Sequence, residues 1–228
     1  MKLREWNELP KFMRTKEVRP YYQKLKKKKV SLFFKRLFDI SVASFMLIIL
    51  SPMMIGIGVA IKIDSKGPVF FRQVRITQYG RKFWIFKFRT MVENAESIGS
   101  QVTVKNDMRV TKVGSAIRKV RLDELPQLIN IVIGDMSFVG TRPEVIKYVK
   151  RYTPEMMATL LLPAGVTSEA SIEYKDEDKL LSNAQDVDDT YVYEVLPEKM
   201  KYNLKSIENF SFFQEIIIMI KTVVAVVR

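Results

Sequence analysis

Residues 37–61, LFDISVASFMLIILSPMMIGIGVAI, form a long apolar stretch whose only charge is Asp39, close to its N-terminal end. About 20 apolar residues are enough for a helix to cross the hydrocarbon core of a bilayer. Helices of soluble proteins are rarely so uniformly apolar, because one of their faces meets water. The stretch therefore predicts a membrane helix, and a buried core helix is the alternative.

The flanks of this segment are basic on both sides. The cations lie upstream at Lys24, Lys26 to Lys29, Lys35 and Arg36, and downstream at Lys62, Lys66, Arg72 and Arg75. Positively charged flanks tend to stay cytoplasmic, so a straight span would have to export one of them. Pro52 removes one backbone hydrogen bond, and the hydroxyl of Ser51 can re-satisfy the freed carbonyl. We expect a re-entrant helix, kinked at Ser51-Pro52, that enters and leaves the membrane by one face.

Both ends of the chain also have sequence features of membrane-associated segments. Residues 207–228 are apolar but carry Gln214, Glu215 and Lys221, which predicts an amphipathic helix in the interface; packing onto the main domain is the alternative. Residues 1–34 are basic and lack the apolar stretch of a secretory signal peptide. The lysine run 26–29 is either a solvated charge run or a strip that binds anionic lipid headgroups.

Composition narrows the chemistry that the chain can perform. The 228 residues are 47% hydrophobic, which is enough to build a core, and the net charge of +13 indicates an anionic partner. Cys and His are both absent, which excludes disulfides, thiolate or imidazole metal sites, cysteine nucleophiles and serine–histidine triads. Carboxylates, Lys and Tyr remain, with a hard cation held by oxygen ligands.

A β-hairpin is predicted from residues 69–76 and 81–91, which are rich in β-branched and aromatic residues around a turn at Tyr79-Gly80. Its alternation is expected to bring four cations into one neighbourhood, namely Arg72, Arg75, Lys87 and Arg89. Such side chains commonly keep a sheet edge soluble. Beside a membrane segment they could equally form a phosphate-binding floor.

The stretch VRLDELPQLINIVIG, 120–134, holds the adjacent carboxylates Asp123 and Glu124. Apolar residues at helical spacing predict a helix from Asp123 to Gly134, in which Asp123 is an ordinary N-cap. The same position could form a site, since a helix N-terminus stabilises anions. Adjacent helical residues point about 100° apart, so the pair cannot clamp a sugar from opposite sides as glycosidase acids do. The nearby cations that could neutralise phosphate are Arg109, Arg118 and Arg121.

Residues 141–144, TRPE, follow Gly140, which can take a backbone φ angle barred to other residues. The tight turn would hold Arg142 in a restricted pose, as suits a phosphate ligand. An ordinary loop before the next helix is the alternative.

Taken in order, these pieces resemble a known family. They are KRLFD at the start of the apolar segment, Ser-Pro within it, FKFRTM in the second strand of the hairpin, NDMRVTKVGSAIR, LDELPQL and GDMSFVGTRPE. The set, from about Lys35 to Tyr152, is similar to the bacterial sugar transferases, the monotopic phosphoglycosyl transferases. The chain resembles the short form of that family with an added basic arm.

The resemblance implies an enzyme that transfers a sugar phosphate from a UDP-sugar to polyprenyl (undecaprenyl) phosphate and releases UMP. Asp123 would be the nucleophile and a Mg²⁺ ligand, and Glu124 would support it or manage a proton. Lys87, Arg118 and Arg142 would be cationic site residues. The membrane helix would be re-entrant and broken at Ser51-Pro52.

Two departures from the family pattern concern the site. Thr141 replaces the first proline of the common VGPRP, which removes one rigid constraint on the turn of Arg142. Residues 164–177, AGVTSEASIEYKDE, replace the common PGITGxAQVNGRN, so that Lys175 would stand where the family has a nucleotide-facing Arg. Lysine offers a point charge in place of a planar fork. The sequence therefore does not predict which sugar the UDP-sugar substrate carries.

The sequence as a whole predicts an α+β, mostly helical protein. Its parts would be an arm (1–34), the re-entrant helix (35–63), a cytosolic catalytic domain (64–206) and an interfacial helix (207–228). We expect it on the cytoplasmic face of the bacterial inner membrane, with anionic lipids but not nucleic acid as partners and homo-oligomers possible. The alternatives are an inactive scaffold of a glycan assembly complex and a membrane-tethered basic binding module.

Overall fold

The computed structural model describes residues 1–93, 107–174 and 186–227, so that the predicted nucleotide contact Lys175 lies outside the described residues. The α-helices are α1 (Arg19–Lys26), α2 (Lys29–Asp64), α3 (Lys112–Lys119), α4 (Gln127–Ile133), α5 (Ile146–Val149), α6 (Glu169–Glu173), α7 (Val187–Thr190), α8 (Leu196–Glu208) and α9 (Phe212–Val227). The strands are β1 (Phe70–Ile76), β2 (Lys82–Phe88), β3 (Met136–Val139) and β4 (Ala164–Thr167). The fold is mostly helical, as predicted, with two small sheets.

Helix α2 is the predicted membrane segment, and it begins at Lys29, within the stretch that was expected to belong to the arm. It has 36 residues, and by length and composition it could cross a bilayer, since the mean hydropathy of its best window is 2.3. One stripe packs on the rest of the protein. Its buried positions are Leu32, Lys35, Asp39, Ala43 and Ile61, and between the last two the contacts are made by the half-buried side chains of Met46, Leu47, Leu50, Met54 and Ile57. The opposite side exposes apolar residues along its length: Val30, Phe33, Phe34, Leu37, Ile40, Phe45, Ile48, Ile49, Met53, Ile55, Val59 and Ile63.

The helix continues through Pro52 as one element, and the kink expected at Ser51-Pro52 stays a prediction. Proline has no N–H for the carbonyl four residues earlier, which is that of Ile48. The hydroxyl of Ser51 donates to this carbonyl at 2.8 Å. The predicted compensation by Ser51 is confirmed, and it allows the helix to pass the proline.

The predicted hairpin is confirmed: β1 and β2 are antiparallel, and Tyr79 and Gly80 form the turn with positive φ angles of 60° and 75°. The expected cluster of four cations is wrong in part. The register pairs Phe71 with Lys87, and Arg72 with Phe86, so Arg72 lies on the face opposite to Lys87. Buried Arg89 instead donates to Ser65, next to the end of α2. Only Arg75 and Lys87 share a face.

A second sheet, which the sequence did not predict, pairs β3 and β4 in parallel. Each strand has four residues, which is too short for a clear alternation of polar and apolar positions. Gly140 does not use the conformational freedom of glycine, because only Gly67, Gly80 and Gly134 have positive φ among the described glycines. Gly140 is required for space: a Cβ there would lie 2.5 Å from the carbonyl oxygen of Pro163.

The N-terminal arm is folded onto the domain, although lysines 26–29 at its end are exposed. Its apolar side chains are buried in the largest core cluster, at Leu9, Met13, Val18, Tyr21, Tyr22 and Leu25. They pack on the 3₁₀ segment Met156–Leu161 and on the end of α8. The lysines of the run 26–29 remain exposed, so the arm presents a basic surface from a fixed position.

Helix α9 packs onto the main domain, which was the alternative for the C-terminus, while its position in the membrane interface stays a prediction. Ile218 is fully buried against the domain, and the Phe212 ring lies 5.8 Å from that of Phe38 on α2. The other side of α9 exposes Phe213, Ile217, Ile220, Val223 and Val224. Helices α2 and α9 therefore contact each other, and each presents apolar side chains to the exterior.

Candidate active site

Asp123 and Glu124 lie in a 3₁₀ turn, Leu122–Glu124, and not in the first turn of a helix. Arg121 just before it has φ 54°, in the left-handed region that side chains rarely adopt. This conformation ends the run from α3 and turns the chain, so that α4 begins only at Gln127. The predicted N-cap role of Asp123 is therefore wrong, while the predicted end of the helix at Gly134, φ 93°, is confirmed.

Glu124 joins two cations that are far apart in the sequence. The ammonium of Lys87, on β2, donates to Glu124 Oε1 at 2.7 Å. The guanidinium of Arg142, in the loop after β3, donates to the same oxygen at 3.2 Å. The Glu124 side chain is 13% exposed and that of Arg142 is 41% exposed, so the cluster lies at the surface with its carboxylate on the inner side.

The electrostatics of the cluster fix the charge of Glu124. Burial alone would raise the pKa of this carboxyl, but the charges of Arg142 and Lys87 outweigh burial and hold the pKa well below its usual range. Burial lowers the pKa of Lys87, an effect that Glu124 opposes and Arg142 reinforces. Glu124 is thus the ionised counter-charge of both cations.

Asp123 has the opposite environment. Burial raises the pKa of its carboxyl, Lys87 and Arg118 act to lower it, and Glu124 adds to the rise. Among the residues that the structure describes, no cation lies within salt-bridge distance of Asp123, whereas Glu124 has two such partners. Neighbouring carboxylates with pKa values pushed apart have different chemical roles. Of the two carboxylates, Asp123 is the one that has no ion pair within the described part of the chain.

The other predicted cations take different places. Arg118, on α3, is half-buried and close enough to Asp123 to influence its pKa. Arg75 donates to the carbonyl of Pro143 at 3.2 Å and to Gln73 at 2.6 Å, so it lies beneath the loop that carries Arg142. Arg109 is bound to Asp107 at 2.6 Å.

Asn130, which the sequence analysis did not single out, positions β2 against α4. Its side chain is fully buried; it accepts from the backbone N–H of Phe86 at 3.0 Å and donates to the carbonyl of Trp84 at 2.8 Å. Both backbone groups belong to β2, in the three residues that precede Lys87. A buried polar residue in an otherwise apolar helix was the available signal for this role.

The loop of Arg142 is held by backbone contacts on both sides. Gly140 donates to the carbonyl of Thr167 at 3.0 Å, and Gly165 donates to that of Thr141 at 2.9 Å. The carbonyl of Glu144 accepts from Ile76 at 3.0 Å, and its buried carboxylate accepts from the hydroxyl of Tyr191. The missing proline at Thr141 is therefore compensated by pairing with β4.

The donor set of the site limits which metal it could hold. Over the described ranges, no group of three or more carboxylates converges on a metal position. Mg²⁺ is commonly bound through one or two carboxylates together with substrate phosphates and water. Asp123, whose oxygens have no cationic partner among the described residues, suits such a shared site. The residues present therefore fit Mg²⁺ held jointly by protein and substrate.

Comparisons with known proteins agree with these motifs. The family model described as bacterial sugar transferase matches residues 30–228. The UDP-N-acetylgalactosamine-undecaprenyl-phosphate N-acetylgalactosaminephosphotransferase of Aeromonas hydrophila is 38% identical over 194 residues, which cover 84% of this chain and 43% of the relative. The UDP-glucose:undecaprenyl-phosphate glucose-1-phosphate transferase of Klebsiella pneumoniae is 37% identical over 200 residues, covering 85% of this chain and 40% of the relative.

A third relative matches over most of both chains. The exopolysaccharide production protein ExoY of Rhizobium meliloti is 32% identical over 207 residues, which cover 84% of this chain and 84% of the relative. The first two relatives are longer, since this chain spans 43% and 40% of their length. Residues 1–29, most of the folded arm, precede the part that the family model matches.

Proposed function

The chain belongs to the bacterial sugar transferase family, and from this premise we propose that it transfers a sugar-1-phosphate from a UDP-sugar to undecaprenyl phosphate. The names of the two longer relatives state that class of reaction. The observation that carries the proposal is the Glu124 cluster. Lys87 and Arg142 donate to Glu124 Oε1 at 2.7 and 3.2 Å, and the neighbouring carboxylate of Asp123 has no ion pair among the described residues. Phosphoryl transfer asks chiefly for this combination of alignment and charge neutralisation.

In the first step, an oxygen of Asp123 attacks the phosphorus that bears the sugar. The new aspartyl–phosphorus bond forms as the bond to the bridging oxygen breaks, and UMP leaves with the electron pair. Lys87, Arg118 and Arg142 stabilise the charge on the phosphoryl oxygens. Glu124 holds Lys87 and Arg142 in place, and because these cations pair with Glu124, the carboxylate of Asp123 is available for the attack.

In the second step, a phosphate oxygen of undecaprenyl phosphate attacks the same phosphorus and the aspartyl bond breaks. Asp123 is thereby regenerated as a carboxylate, and the product is undecaprenyl-diphosphate-sugar. When bound, Mg²⁺ would neutralise charge on the diphosphate, with Asp123 as its protein ligand. Such a reaction would begin the assembly of an exopolysaccharide or a related glycan.

The proposal places the chain on one side of the membrane, with α2 as a re-entrant helix on the cytoplasmic face. Because one stripe of α2 packs on the domain from Leu32 to Ile61, a straight span would draw the domain into the hydrocarbon core. The exposed apolar sides of α2 and α9 would enter the lipid. The exposed lysines 26–29, directly before α2, would meet anionic headgroups, each contributing about 1 kcal/mol.

The reaction is tested by incubating the full chain with a panel of UDP-sugars, undecaprenyl phosphate and Mg²⁺ and measuring UMP. We expect one or a few sugars to release UMP, EDTA to stop the release and added Mg²⁺ to restore it. Asp123→Asn should abolish both UMP release and a trappable covalent adduct while the protein still reaches the membrane. If a broad panel yields neither UMP nor an adduct, an inactive scaffold becomes the better description.

The membrane placement is tested with single cysteines, since the chain has none of its own. Lys16, with a side chain 93% exposed, precedes α2, and Lys201, 69% exposed, follows it. Both Lys16→Cys and Lys201→Cys should react with an impermeant maleimide only after cells are opened. Labelling of one of the two in intact spheroplasts would show that α2 spans.

A further inference from the structure

The structure contains a buried ionic network outside the Glu124 cluster. Lys35 on α2 and Glu215 on α9 form an ion pair, and their residues are 3% and 8% exposed. Asp39, one turn after Lys35, has its Oδ2 4.0 Å from the same ammonium. The sequence analysis counted Lys35 among the cations that keep a flank in the cytoplasm; its burial removes it from that group.

This network also holds the strand that leads to Arg142. The ammonium of Lys35 donates to the carbonyl of Val139 at 2.9 Å. Asp39 accepts from the hydroxyl of Ser137 at 2.8 Å and from the backbone N–H of Phe138 at 3.3 Å. Three successive residues of β3 are therefore bound by two side chains of α2.

Val139 is the last residue of β3, and Gly140 and Thr141 separate it from Arg142. The buried ammonium of Lys35, bound to the carbonyl of Val139, fixes the position at which the chain leaves β3 and enters the loop of Arg142. The ammonium needs a counter-charge there, because a buried cation without one is strongly destabilising, and Glu215 is its ion-pair partner. Placement of the two apolar helices and placement of Arg142 thus depend on the same contacts.

We propose that Lys35 is a positioning residue, which together with Glu215 and Asp39 orients Arg142 toward Glu124 by fixing the end of β3. The inference rests on the proposed function only for its kinetic test. It assigns to the membrane-facing helices α2 and α9 a part in forming the phosphate-binding cluster, in addition to membrane attachment.

The structural test is hydrogen exchange of the full chain in detergent or lipid discs, followed on peptides covering residues 136–146. Lys35→Met should accelerate exchange in these peptides at least about tenfold, because it leaves Glu215 and Asp39 without their cation. Glu215→Gln, which keeps an acceptor in place, should give a smaller change in the same peptides. Tyr21→Phe, which removes a 2.7 Å bond to Glu155 in the arm, should leave them unchanged. Unaltered exchange at 136–146 in both Lys35→Met and Glu215→Gln would overturn the proposal.

The kinetic test is a double-mutant cycle with Arg142. If Lys35 acts through Arg142, Lys35→Met should lower kcat/KM for UMP release about 10- to 100-fold, as misplacement of a substrate-binding group does. In the Arg142→Ala background the same change should have little further effect, whereas full additivity would contradict the proposal. Failure of the proposed function is distinguishable, because wild-type protein would then release no UMP while the exchange result would still report on Lys35.

Discussion

Lys87 Nζ lies 2.7 Å from Glu124 Oε1, and this contact joins the central hairpin to the turn that carries Asp123. Replacing Glu124 with Gln keeps the shape but removes the charge that balances Lys87 and Arg142. We expect Glu124→Gln to lower UMP release at least about 100-fold, comparable with the loss of one electrostatic group in other active sites. The charges of Lys87 and Arg142, no longer balanced by Glu124, would then act on Asp123 and oppose its attack.

The matched control is Glu198→Gln, which removes the charge of an exposed pair with Lys201. Exposed ion pairs contribute little, so this variant should retain wild-type rates and thermal stability. Wild-type UMP release by Glu124→Gln would show that the cluster around Glu124 does not support transfer.

Asn130 should matter for stability as well as for the site, because both ends of its amide are bound to β2. Asn130→Asp keeps the acceptor for Phe86 but places a carboxylate oxygen against the carbonyl of Trp84. We expect a loss of about 2–4 kcal/mol in the free energy of unfolding, since buried polar groups without partners are costly. Chemical denaturation in micelles measures it, and the exposed Asn209→Asp is the control. Equal stability of the two variants would refute the role of Asn130 in holding β2.

The elements that the sequence predicted well are those set by local patterns. The apolar run of α2, the turn at Tyr79-Gly80 and the helix end at Gly134 depend on hydropathy and on backbone freedom over a few residues. What failed depends on partners distant in sequence. Lys35 looked like a flanking cation because nothing local reveals that Glu215 will pair with it.

In the active site, too, local sequence patterns were insufficient wherever the structure depends on residues distant in the chain. Local rules predicted that Asp123 caps a helix, and the positive φ angle of Arg121, which no propensity indicates, overrides them. The meeting of Lys87, Glu124 and Arg142 could not be derived from their spacing, because β2, the 3₁₀ turn and the loop after β3 come together only in the folded chain. The family resemblance, which retains the order of motifs, carried that part of the prediction.

The N-terminal arm should behave as part of the core. Leu25 is 0% exposed within the cluster that the arm forms with the 3₁₀ segment and α8. We expect Leu25→Ala to lower the free energy of unfolding by about 2–5 kcal/mol, through lost apolar burial and the remaining cavity. Lys27→Ala, two residues later and exposed, should change it by less than about 0.5 kcal/mol. Equal unfolding midpoints for the two variants would indicate an arm that is not docked in solution.

The hydrogen bond from Ser51 to the carbonyl of Ile48 predicts a rescue between neighbouring residues. Ser51→Ala leaves that carbonyl without a donor on the exposed side of α2, and should cost about 1 kcal/mol in micelles. Pro52→Ala restores a backbone N–H at the position from which Ile48 is normally reached. The double variant should therefore be more stable than Ser51→Ala alone, as measured by thermal unfolding. A double variant that is no more stable would show that the serine does not substitute for the missing donor.

Gly165 and Gly140 bring the backbones of β4 and the Arg142 loop into direct contact, and a Cβ built on Gly165 would lie 2.1 Å from the nitrogen of Gly140. Gly165→Ala must push the two segments apart, so we expect a loss of at least about 3 kcal/mol in stability and a loss of UMP release. Gly56, in α2, has no atom within 4 Å of the position of a Cβ. Gly56→Ala should be neutral or stabilise the helix by up to about 1 kcal/mol. If Gly165→Ala were tolerated as well as Gly56→Ala in unfolding and activity assays, the close approach that fixes the Arg142 loop would be disproved.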